Sequence, residues 1–303
     1  VGFYTSNLGN ALASDVLSGI WVQSLADRNA LPNHPSLIRA PAPVGATTVR
    51  VPDLDLNGAV LLASTTEGAA VSATTPTDNA SDIALARFSK RYDLSDFMRQ
   101  VDGLGISAEQ VFAMDALIAC GATLRDEVAQ IVDDFSSTVG STTVDATAAN
   151  FLEAIATLEI ASVNGPYLAM LHPRQWADIR SDVSTASGGA IQWNAGSQEV
   201  LNASKGLGSQ GNFLGVDVYT TTSIVTSNAG ADRAGGMFGR GAIAYAMSAP
   251  RSDADFTQVV LGNEVLFEKD RNAPAGLTEY VSHMHFGVVE VLDAAGVSII
   301  TDA

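Results

Sequence analysis

Gly206, Gly208 and Gly211 spell G-x-G-x-x-G, the spacing at which backbone amides cradle a dinucleotide pyrophosphate. That chemistry needs a strand before the glycines and a helix N-terminus after them. Here a Ser/Asn-rich run precedes and the strand-like FLGVDVY follows, so the spacing predicts a flexible loop and no cofactor. His283 and His285 stand two apart on a predicted strand, with both rings on one side. A zinc site could start there, but no third ligand is evident and Cys120 is the single cysteine, so ordinary hydrogen-bonding histidines are expected. His34 lies among prolines and His172 precedes Pro173, and neither has a G-x-S-x-G nucleophile motif nearby. Asp53 and Asp55 share a face around Leu54, one carboxylate pair and weak ground for a cation. Asn79-Ala80-Ser81 and Asn202-Ala203-Ser204 are glycosylation sequons by spelling alone. No catalytic, cofactor-binding or metal constellation emerges.

Composition points away from several classes. Thirty-three acids against 16 bases give a net charge of −17, which argues against direct phosphate reading of a nucleic acid. Only Lys90, Lys205 and Lys269 are lysines. A lone cysteine cannot make an internal disulfide, and Cys120 is expected to be a buried free thiol. No stretch is apolar for long enough to span a bilayer, and no signal peptide is evident at the start. Loss of an initiator Met or cleavage of a longer leader would each leave Val1 first.

The elements that must position these residues begin with a helix over 107–137. Ser107 and Gln110 make a capping box. Val111, Met114, Ile118, Gly121, Leu124, Val128, Ile131 and Phe135 recur at helical spacing, predicting a spine about 45 Å long. Residues 1–45 read as an arm: a short amphipathic helix with Trp21, then a path kept extended by Pro32, Pro35, Pro41 and Pro43. Residues 46–92 read as a long hairpin in which 47–51 and 59–64 go up and 83–92 return. The returning strand alternates Arg87, Ser89 and Arg91 with Phe88, Lys90 and Tyr92. Arm and hairpin lack an apolar interior and are expected to find burial on other copies. Thr138–Thr143 reads as a polar linker. Then come a helix over 147–160 with Phe151, Leu152, Ile155 and Leu158, a strand at 167–171, a helix with Trp176 and Ile179, a loop over 184–211, strands at 213–219 and 241–247, and a β-rich tail from Phe256.

Arm, long hairpin, spine helix, α/β region and β tail, in that order, resemble the tailed-bacteriophage major capsid protein of the Hong Kong 97 type over nearly the whole chain. The local pieces are Glu67-Gly68 at the hairpin turn, ARFSKRYDLSD at 86–96, YLAMLHPRQWADIRSDV at 167–183, FLGVDVYTTTSI at 213–224 and MFGRGAIAYAM at 237–247. The resemblance implies an α+β fold with an N-terminal arm at 1–45 and an extended loop at 46–92. A peripheral domain with the spine helix would take 93–147 and an axial domain 148–250, with 251–303 returning to the peripheral domain and sending a last strand to the axial one. It implies pentamers and hexamers closing into an icosahedral shell around double-stranded DNA, without sequence-specific binding or a membrane. Scaffolding, portal and decoration proteins are the accessory partners, and the location is the virion, assembled in the bacterial cytoplasm.

Some members of that family are cross-linked by a Lys–Asn isopeptide bond using a lysine on the extended loop. Residues 51–86 contain none, so a shell without that cross-link is expected. Subunit contacts are expected at Trp21, Glu67, Gly68, Arg87, Lys90 and Arg91, with charge reversal at the last three blocking assembly but leaving monomers folded. Two other readings stay open: an encapsulin-like shell enclosing cargo enzymes, and a hydrolase whose site carries no recognisable motif.

Overall fold

The computed structural model describes residues 34–43, 45–55, 77–96, 108–185, 209–227, 230–248, 257–261 and 265–302. Trp21, Glu67, Gly68, Gly206 and Gly208 lie outside them. So do the start of the arm, the upper hairpin, the 202–204 sequon and most of the predicted 184–211 loop. The described part is a mixed α+β fold built on two sheets.

The first sheet is centred on a long strand, β14 (Leu277–Glu290). Strand β4 (Ala86–Ser95) pairs antiparallel along one edge. On the other edge β13 (Val265–Asn272) and β11 (Ile243–Ser248) lie end to end, against 277–284 and 285–290. Strand β12 (Thr257–Leu261) extends the sheet beyond β13, and β1 (Leu37–Pro41) adds in parallel beyond β11. The end of the predicted arm is therefore a strand of the chain's own sheet. Its prolines flank or close that strand, as suits an edge position.

The second sheet has the order β5 (Thr138–Asp145), β15 (Gly296–Asp302), β10 (Asp232–Phe238), β6 (Tyr167–Leu171), β8 (Val216–Thr220), β7 (Ser209–Phe213), with β9 (Val225–Ser227) also beside β10. Helices α2 (Ala148–Ile160) and α3 (Pro173–Thr185) bury Phe151, Leu158, Trp176 and Ile179 against one face of it. Two readings of the sequence are corrected here. The predicted linker 138–143 is strand β5, whose residues 138–141 pair in parallel with 298–301 of β15. The predicted strand 213–219 is broken at Leu214-Gly215, where positive φ values of 52° and 87° turn β7 into β8.

Helix α1 (Ala108–Ile131) carries the spine, 24 residues and about 36 Å long, shorter than expected. Gly121, Leu124, Val128 and Phe135 of the predicted face are buried, but the buried face also takes in residues outside that pattern. Ala116, Cys120, Leu124 and Val128, at steps of four, are buried with Ala129, whereas Ile118 and Ile131 are half-buried. Small side chains at 116, 120 and 121 let the helix lie close to the sheet, and small residues weigh little in an apolar pattern. Burial raises the Cys120 thiol to about 11, which keeps it protonated and inert.

Past its last turn the α1 segment passes under the second sheet. The Phe135 ring fills the space where a Cβ on residue 296 would stand, so only glycine fits there. The Ser298 hydroxyl donates to the Val132 carbonyl at 2.8 Å, satisfying a carbonyl beyond the helix end. Asp293 accepts from the Ser136 amide at 2.8 Å and from its hydroxyl, and these bonds hold its carboxyl below the usual range. Burial, then the neighbouring Asp293 and Asp134, raise the Glu290 carboxyl to about 7.

The hairpin base is β2 (Thr48–Asp55) against β3 (Thr77–Ala84); the predicted return strand 83–92 mostly belongs to β4 in the first sheet. Val49, Val51 and Ile83 are buried against Ala40, Ala244 and Ala246. The hairpin comes down on Gly287, where a Cβ would stand 2.8 Å from Ile83 Cγ2 and strike the Ala84 carbonyl. The expectation that the hairpin has no burial of its own is therefore corrected: its base docks on its own sheet, through four residues whose side chains are methyl groups or hydrogen.

Because the folded Glu290 pKa of about 7 lies above the ordinary 4.5, its stabilising share is complete below about pH 4.5 and lost as pH rises through 7. Glu290→Gln keeps a hydrogen-bond donor toward Asp293 but does not ionise. Its melting temperature is expected to exceed wild type at pH 8 and to converge with it at pH 4.5, measured by thermal unfolding at both values.

Candidate functional site

The first sheet has two chemically different faces. On the α1 side, Phe88, Tyr92, Phe267, Tyr280, Met284 and Phe286 join the main core, with Phe112 of α1 stacked on Tyr92 at 4.9 Å between ring centres. The opposite face, beside the docked hairpin base, is polar. Register places Arg87 across from His285, Ser89 across from His283, Arg91 across from Val281 and Asp93 across from Glu279.

These side chains form two linked groups. His283 is buried, with Ser89 Oγ 2.8 Å and Arg87 Nη2 3.0 Å from Nδ1, and Glu268 Oε2 3.3 Å from Nε2. Burial and then Arg87 lower the pKa of His283, and the same two causes act in the same order on His285, so both imidazoles are neutral at neutral pH. Arg91 reaches Asp93 at 2.7 Å and Glu279 at 2.9 Å. The result is an exposed strip along β4 that carries both signs, Arg87 and Arg91 followed by Asp93, able to meet a complementary protein surface. Among the described residues no group of three His, Cys, Asp or Glu side chains is placed to hold a metal ion.

Lys90 is separated from its two arginine neighbours by the strand alternation and lies on the α1 side. Its ammonium sits 2.6 Å from Asp115 Oδ2, the oxygen to which Tyr92 also donates at 2.5 Å. The Asp115 bond raises the Lys90 pKa, and the Lys90 bond lowers that of Asp115. Burial, then the bond to Asp115, raises the Tyr92 phenol to about 12.

Where the arm meets the described fold, His34 forms a second anchor. Its Nδ1 accepts from the Ser36 amide at 3.2 Å, so Nε2 carries the proton toward Asp217 Oδ2 at 3.1 Å. The Ser36 hydroxyl donates to the Pro166 carbonyl at 2.5 Å. Arm and second sheet are thus tied together before β1 begins. His172, by contrast, stands at the start of α3, with Nδ1 accepting from the Arg174 amide at 3.3 Å. Burial, then Arg233 and Arg174, lower its pKa.

The fold recurs in solved capsids. The capsid of Ralstonia phage GP4 matches with a TM-score of 0.63 over 93 % of this chain and 90 % of that one, at 12 % identity. The chain has the fold of phage capsid subunits. The capsid of Cyanophage P-SCSP1u matches at 0.58 over 89 % and 88 %, with 9 % identity. The capsid of an empty GTA particle matches at 0.57 over 89 % and 90 %, with 16 % identity. No protein-family model matches the sequence, and no curated protein matches it.

On this capsid fold, Arg87 and Arg91 stand on the open strip. Asp53 and Asp55 fall in β2 opposite Asn79 and Thr77, and their side chains lie outside the description. Sequence reasoning missed the intrachain partners Asp115, Glu268, Glu279 and Asp217. The alternation along 279–285 was the available signal, but the register against β4 had to be known first. Lys90→Glu would face Asp115 with a like charge. It is expected to cost the isolated subunit about 1 kcal/mol, a few degrees in melting temperature, measured by thermal unfolding.

Proposed function

We propose that this chain is the structural major capsid subunit of a tailed double-stranded DNA phage, of the Hong Kong 97 type. Pentamers and hexamers of it close an icosahedral shell around the genome. The observation that carries the reading is the fold match to phage capsids over about nine-tenths of both chains. The open strip along β4 and the hairpin base beside it support it, because both offer a neighbouring copy a surface. Of the predicted contact residues, Arg87 and Arg91 sit where a second copy can reach them. Lys90 acts first within its own subunit, so its reversal weakens fold and assembly together. The arm with Trp21 and the turn with Glu67 and Gly68 complete the proposed contact set. An acidic subunit suits an inner wall that must release packed DNA.

In this reading the protein does no covalent chemistry and works in the virion after assembly in the bacterial cytoplasm. Scaffolding, portal and decoration proteins are its accessory partners. With no lysine at 51–86, strength comes from non-covalent contacts. Negative-stain microscopy of particles from the phage-producing host is expected to show closed shells with nuclease-protected DNA. Boiled, reduced particles should run as one band at the subunit mass. Cargo enzyme in place of DNA would favour the encapsulin-like alternative, and a ladder of covalent oligomers would overturn the uncross-linked shell.

A further inference from the structure

Helix α2 is apolar on two sides. Phe151, Ala154 and Leu158 are buried against the second sheet. Leu152, Ala156 and Ile160, at steps of four, make a second stripe facing solvent, with Leu152 48 % and Ile160 85 % exposed. A surface helix ordinarily keeps a single apolar stripe. Leu152, one of the apolar residues the sequence gives this helix, faces outward.

Charge separates α2 from its neighbour. Exposed Glu153 and Glu159 border the α2 stripe, and the helix contains no basic residue. Helix α3 packs beside it on the same sheet face and is built the other way round. Arg174, Ala177 and Arg180 are exposed, whereas Asp178 and Asp182 are partly buried and Asp182 accepts the Ala148 amide at 2.9 Å. In a chain of net charge −17, contact between copies requires the scarce bases to fall opposite acids.

We propose that the outward face of α2 in one copy seats on the outward face of α3 in the next copy. Leu152 and Ile160 then cover Ala177 and the aliphatic stems of Arg174 and Arg180, and Glu153 and Glu159 meet the guanidinium groups. The contact joins α2 of one copy to α3 of the next; used once per copy in the same sense it is head-to-tail, and it closes into a ring where the rotation between copies allows. The inference rests on the capsid reading and names one contact within it.

The test uses the full chain, with assembly read by sedimentation velocity and negative-stain microscopy and folding by circular dichroism. Glu153→Arg with Glu159→Arg is expected to lower the assembled fraction at least about tenfold, while the subunit stays folded. Adding Arg174→Glu and Arg180→Glu to the same chain is expected to restore assembly, because every copy then carries both reversed faces. Leu152→Ser with Ile160→Ser removes the stripe without touching charge. It is expected to impair assembly with an unchanged or raised melting temperature, and it decides the matter if the fourfold variant does not fold. Assembly unchanged by either α2 variant, or a folded fourfold variant that is not rescued, overturns the contact alone. A wild-type chain that never assembles overturns the capsid reading with it.

Discussion

The passage of the α1 segment from one sheet to the other is the contact on which this fold depends. Leu124 and Val128 still belong to the core beneath the first sheet, and Phe135, only seven residues later, packs on Phe238 and over Gly296 of the second. The turn between them is held from outside the helix: the Ser298 hydroxyl donates to the Val132 carbonyl and the Asp293 carboxylate accepts from Ser136. Apolar burial and polar satisfaction are met at one place. The orientation of the two sheets therefore follows from the fit of a few side chains.

The first sheet then divides its labour between faces. One side is aromatic and packs on α1. The other has alanine and glycine under the hairpin base and ion pairs beyond it. A docking site made of Ala40, Ala244, Ala246 and Gly287 brings backbones close without bulky interlocking. The hairpin is held at its root by its own subunit.

Much of this was readable from the chain. The β tail, the 167–171 strand, the Trp176 helix and the α1 segment are where their apolar residues put them, at helical spacing in the helices and as a run buried on both faces in 167–171. The failures share a physical cause. Strand β5 is a Thr-rich edge strand with almost no buried side chains, so its composition is that of a linker. The Leu214-Gly215 turn uses a leucine at positive φ, where Asn is the usual marker. Ala116 and Cys120 fall outside the expected α1 face because they make contact by being small. The pairing of Arg87 with His283 and of Lys90 with Asp115 depends on strand register and helix approach, which no local pattern encodes.

Strands β14 and β15 follow every other described strand in the sequence, yet β14 is the middle of one sheet and β15 lies between β5 and β10 in the other. During synthesis, neither sheet can close until residues 277–302 have left the ribosome. The earlier strands must wait, with their pairing edges open, for contacts of long sequence separation, a slow and aggregation-exposed order of events. When the last strands insert, both halves of the molecule are completed together, so neither half is finished ahead of the other.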